Sequence, residues 1–165
     1  MRKPRKNAAV TLVVALLAVI GFAVPITGAA PAEAATCTYK TLKYYPGSAI
    51  SKVRYGQINV KFKLCGSNPD NWTASTSSWT NGTGDNLGIF IKRAEIDETS
   101  QTSGVKKWLF EGFLQSCTPR VGWPCAQSWG ITIKYHVDKS RTGQPILWPG
   151  TPTVNAVGVA VFRTP

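Results

Sequence analysis

The stretch Gln57-Ile58-Asn59-Val60-Lys61-Phe62-Lys63-Leu64 alternates polar and apolar residues without a break. Period two is the repeat of a strand, whose successive side chains point to opposite faces. Ile58, Val60, Phe62 and Leu64 share one face, and Asn59, Lys61 and Lys63 share the other. A one-residue slip in register would drive both lysines into the core, so the pattern also specifies the pairing. The segment is predicted to be a strand of an antiparallel sheet, with one face on the core and one in water.

The same pattern recurs outward from it. Ile131, Ile133, Tyr135 and Val137 are set against Thr132, Lys134, His136 and Asp138. Val157, Val159 and Val161 alternate with Gly158, Ala160 and Phe162. Residues 87–96 and 105–115 also read as strands, the latter with Trp108, Phe110 and Leu114 on one side, and a first strand is expected over 38–45. Turn clusters separate them: Tyr45-Pro46-Gly47-Ser48, Gly66-Ser67-Asn68-Pro69-Asp70, and residues 100–104 and 141–152. Residues 71–86, rich in Ser, Thr, Gly and Asn, fit either a long loop or an edge strand. No stretch carries a helical stripe. The expected class is all-β, an antiparallel β-sandwich of immunoglobulin-like or similar type with about six to eight strands.

Residues 1–34 read as a signal peptide. Arg2, Lys3, Arg5 and Lys6 form a cationic start, residues 8–24 are apolar, and Ala32-Glu33-Ala34 offers the small-x-small cleavage pattern. The apolar run falls short of the roughly 20 residues that span a bilayer, and no second run follows, so no membrane span is expected after processing. The Ala-rich, basic-headed leader has the character of a bacterial export signal. Residues 35–165 are expected to form one secreted β domain, acting as an extracellular monomer.

The four cysteines, Cys37, Cys65, Cys117 and Cys125, all follow the leader, and an even number in an exported chain predicts two disulfides. Cys117 and Cys125 bracket a short loop that is inexpensive to close, so they are expected to pair with each other, leaving Cys37 with Cys65. A zinc site is excluded by spacing and by the presence of one histidine in the whole chain.

The chain has 165 residues with 19 Lys and Arg against 8 Asp and Glu, a net charge of +11. Removing four basic residues and Glu33 with the leader leaves 15 against 7, or +8. With 43% hydrophobic and 16% charged residues it is no disordered polyelectrolyte. A basic surface of this kind attracts polyanions with strong salt dependence.

Catalytic sets are incomplete. Glu95 and Asp97 lie at i, i+2 on one strand, not across a cleft as paired glycosidase carboxylates do. His136 has Asp138 beside it, but no G-x-S-x-G serine and no second histidine complete a hydrolase or nuclease. The run Gly82-Thr83-Gly84-Asp85-Asn86-Leu87-Gly88 lacks the Lys-Ser/Thr ending of a phosphate loop and reads as a turn into a strand. No cofactor or metal is implied.

Two non-catalytic functions remain. The first is a secreted binding protein for an extracellular polyanion, cell-wall polymer or carbohydrate, whose partner is an anionic polymer or glycan at the cell surface. Lys61, Lys63 and Lys134 would supply its charge. Trp72 and Trp79, with the further tryptophans Trp123 and Trp148 in polar segments, would supply stacking surfaces. The second is a protease inhibitor or other protein-binding module using the Cys117–Cys125 loop, which carries Arg120 and Trp123 between two prolines. A small secreted hydrolase is the third reading.

Overall fold

The computed structural model describes residues 36–117 and 125–164. The chain runs through β1 (Cys37–Ser48), β2 (Gly56–Cys65), a 3-10 turn at Pro69–Asn71, β3 (Trp72–Thr80) and the short helix α1 (Gly82–Leu87). It continues through β4 (Ile89–Gln101), β5 (Val105–Cys117), β6 (Cys125–Lys139), β7 (Pro145–Pro149), β8 (Thr153–Val154) and β9 (Val159–Arg163). Two antiparallel sheets result. The first has the order β3-β2-β1-β9, and the second β4-β5-β6-β7, with β8 pairing β6. Neighbours in sequence are mostly neighbours in the sheet, while β9 returns to lie beside β1 in the manner of a Greek key. This order differs from the A-B-E-D and C-F-G sheets of an immunoglobulin constant domain.

The alternation of β2 has the predicted consequence. Val60 and Phe62 are buried while Lys61 and Lys63 are exposed. Phe62 packs edge-to-face on Trp108 of β5 and Tyr135 of β6, with centroids 5.6 and 5.2 Å apart, so a single β2 side chain joins the two sheets. Trp108, Phe110 and Leu114 enter the same core from β5, and Ile131, Ile133, Tyr135 and Val137 from β6.

Both disulfides form as expected. Cys37 and Cys65 are direct cross-strand partners at the end of the β1–β2 ladder, and Cys117 and Cys125 close the β5–β6 hairpin. Two disulfides agree with an oxidising compartment. Among the described residues, no helix is long and apolar enough to cross a membrane. The signal-peptide segment lies outside the described residues.

Three expectations change. Residues 71–86 are neither one loop nor one strand. They form the edge strand β3 and then α1, which begins at the Asn81 side chain accepting from the Gly84 N–H and ends at Gly88 in the left-handed region, φ 68°. The turn predicted over 141–152 contains β7, whose prolines sit at its two ends, where a sheet-edge strand tolerates them. Val157 precedes β9 and is fully exposed. Lys106 of β5 is buried: its ammonium lies 2.9 Å from Glu98, donates to the Pro69 carbonyl at 3.3 Å and sits over the Trp108 ring. That contact, with the Gln101–Asp70 hydrogen bond, ties the β4–β5 hairpin to the loop between β2 and β3.

Candidate functional site

The register of the first sheet sets its outward residues in rows. Tyr39, Lys63 and Thr73 form one row, and Thr41, Lys61 and Ser75 the next. Lys43, Asn59 and Ser77 follow, and beyond them Tyr45 pairs with Phe162 and Gln57 with Trp79. Lys61 and Lys63, two residues apart on one strand, stand about 7 Å from each other along the face. Lys43 joins them from β1. Among the described residues none of the three has a carboxylate within ion-pair distance. The strands of this sheet hold Lys40, Lys43, Lys61, Lys63 and Arg163 and not one Asp or Glu.

Hydroxyl and amide groups fill the space between the cations. Gln57 Nε2 donates to Asn59 Oδ1 at 2.7 Å, and Asn59 Nδ2 donates to Ser77 Oγ at 3.3 Å. At the far end Arg54 covers the Tyr45 ring at 4.2 Å and Lys52 approaches Phe162 at 5.7 Å, so these two rings hold cations against the sheet. Trp79 and Tyr39 are the rings left open, 48% and 71% exposed. β9 pairs with β1 only over Tyr44 to Ser48. Beyond Arg163 the β1 edge is open, and Thr41, Lys43, Arg163 and Thr164 line a depression there of about 240 Å³.

The residues singled out from the sequence do not gather at one place. Lys61, Lys63 and Trp79 share the outward face of the first sheet. Trp72 does not join them: it begins β3 on the inward face, is fully buried and donates its indole N–H to the Gly66 carbonyl at 3.1 Å. No ring face is left for a ligand, because Leu64, its cross-strand partner, fixes that row toward the core. Lys134 is exposed, but on the second sheet. Arg120 and Trp123, and the loop that carries them, lie outside the described residues.

Sequence reasoning missed Tyr39 and Tyr45 as neighbours of Lys61 and Lys63. The signal was present, because Tyr39, Thr41, Lys43 and Tyr45 alternate with Leu42 and Tyr44, but only the pairing register shows that they flank Lys61 and Lys63.

On the second sheet His136 stacks on Trp148 of β7, with centroids 6.1 Å apart and planes 18° from parallel. Asp138 lies 3.6 Å from its Nε2, longer than a hydrogen bond. Arg93 and Glu95 pair with each other on β4, and the Glu95 carboxylate, with Glu111 and Asp97 further off, raises the guanidinium pKa above its ordinary value. Among the described residues no three His, Cys, Asp or Glu side chains come together as a metal site.

No protein-family model matches the chain, and no curated protein or solved structure matches it at the level that shows a relationship.

Proposed function

We propose that the protein is a secreted β-sandwich that binds an extracellular polyanion or acidic glycan without altering it. The observation that supports this reading is the outward face of the first sheet. Lys43, Lys61 and Lys63 stand on it without carboxylate partners, amid Ser, Thr, Asn and Gln side chains and beside the open rings of Tyr39 and Trp79. Such a face attracts repeated negative charge, and its hydroxyls, amides and rings suit a polymer of sugar units more than a bare anion. Polymer binding through several cations releases several counterions, so affinity falls steeply with salt.

The test is co-sedimentation of the secreted protein with polygalacturonate and with a neutral glucan at two salt concentrations. Retention on the acidic polymer at low salt, with release at high salt, is the expected result. Equal retention on both polymers, independent of salt, counts against charge as the basis of binding. Hydrolysis of either polymer that disappears with His136→Ala would make the protein an enzyme instead.

A further inference from the structure

The outward face of the second sheet carries a groove of about 460 Å³ between the side chains of β5 and β6, within the range of small-molecule sites, about 300–1,000 Å³. Thr99, Lys107, Leu109, Lys134 and His136 line it. His136 enters it backed by Trp148, so an imidazole–indole stack forms one wall. Lys107 is the cross-strand partner of His136, and Lys134 that of Leu109, which places the two ammonium groups diagonally across the groove. Neither has a carboxylate within ion-pair distance among the described residues.

We infer that this groove binds one sugar ring carrying a carboxylate, a uronic-acid unit. The inference rests on the reading of the protein as a binder of acidic glycans and adds a second, ring-sized site on the sheet opposite the lysine face. Each component has a partner in such a ligand. The apolar face of a pyranose stacks on the imidazole backed by Trp148. Its carboxylate meets Lys107 or Lys134, and a hydroxyl donates to the Thr99 hydroxyl oxygen. The Asp138 carboxylate, 3.6 Å from His136, repels a compact phosphate dianion more strongly than the single charge of a uronate.

The test is calorimetric titration of the disulfide-bonded protein with trigalacturonate, its methyl ester and adenosine monophosphate. Trigalacturonate binding is expected, weakened about tenfold or more by Trp148→Ala, and likewise by Lys107→Gln with Lys134→Gln. The methyl ester should bind about tenfold more weakly than the acid, and Lys92→Gln with Lys139→Gln, outside the groove, should leave trigalacturonate binding unchanged. Should Trp148→Ala fail to fold, Trp148→Phe with the two-lysine variant carries the same test. The groove assignment is overturned by three results: equal binding of acid and ester, tighter binding of the nucleotide, or a trigalacturonate affinity that follows Lys61 and Lys63 alone. If polygalacturonate still binds through Lys61 and Lys63 while trigalacturonate does not bind, the groove is wrong and the proposed function stands. If neither binds, both are wrong.

Discussion

The two sheets share one core but differ in what they show to solvent. The strands of the first hold five cations and no carboxylate. Those of the second hold six Lys and Arg, namely Lys92, Arg93, Lys106, Lys107, Lys134 and Lys139, against Glu95, Asp97, Glu98, Glu111 and Asp138. Charges on the second sheet are partly spent on each other, as Arg93 with Glu95 and Lys106 with Glu98 show. On the first sheet the lysines stand apart from any acid. Packing does not require this difference, since the residues that both sheets bury are apolar apart from Lys106 of the second. A net charge of +8 for residues 35–165 is therefore a poor description of the surface, and its distribution between the sheets is the informative quantity.

Breaking the core that the sheets share should have the largest effect. Phe62→Ala removes the ring that touches both Trp108 and Tyr135, and urea unfolding should show a loss of about 3–5 kcal/mol. Phe113→Ala, on the outward face of the second sheet beneath Arg93, should cost about 1 kcal/mol or less. Similar losses at the two positions would mean that Phe62 does not couple the sheets.

Each sheet carries one disulfide, and their spans differ. Cys37 and Cys65 are 28 residues apart, Cys117 and Cys125 only 8. Replacing either pair by alanine should destabilise, by about 2–4 kcal/mol for a typical bond, and the longer loop of the first sheet should make its pair worth about 1 kcal/mol more. Thermal denaturation of the two double variants measures the difference directly.

Tyr44 of the first sheet and Tyr135 of the second meet edge-to-face in the core, 6.5 Å apart, and neither hydroxyl has a hydrogen-bond partner among the described residues. Burial pushes both phenols above their ordinary pKa of 10.0. In the unfolded chain they ionise near pH 10 while the folded protein keeps them neutral. Their contribution is thus intact below pH 10 and declines above it, by up to about 1.4 kcal/mol per pH unit for each phenol. Tyr44→Phe with Tyr135→Phe should flatten the alkaline limb of the stability profile and leave the neutral region little changed. An unaltered alkaline limb would show that the phenols titrate alike folded and unfolded.

How much of this was legible in the sequence differs between the strands. β2 and β6 announce themselves because Val, Ile and Phe alternate with Lys and Thr, and the contrast between the faces is large. β3 has no such contrast. In Trp72-Thr73-Ala74-Ser75-Thr76-Ser77-Ser78-Trp79-Thr80 both faces are mostly small and polar, so nothing local distinguishes the buried Trp72 from the open Trp79. Their odd separation puts them on opposite faces, but that follows only once the segment is known to be a strand. β7 was hidden by its prolines. Lys61 and Lys63 could be placed on a surface from sequence, whereas their separation from Lys134 depends on which sheet each strand joins, a long-range property that no local pattern carries.

The central claim is that affinity for an acidic polymer comes from the first sheet's face and not from net charge. Two double variants with the same charge change separate these causes: Lys61→Gln with Lys63→Gln on the first sheet, and Lys92→Gln with Lys139→Gln on the second. All four lysines are exposed, so stability should hardly move. The measurement is the dissociation constant for polygalacturonate across a series of salt concentrations. The account predicts that the first pair weakens binding and lowers the salt slope by about 2, while the second leaves both near those of the unaltered protein. Equal losses from the two pairs would contradict it.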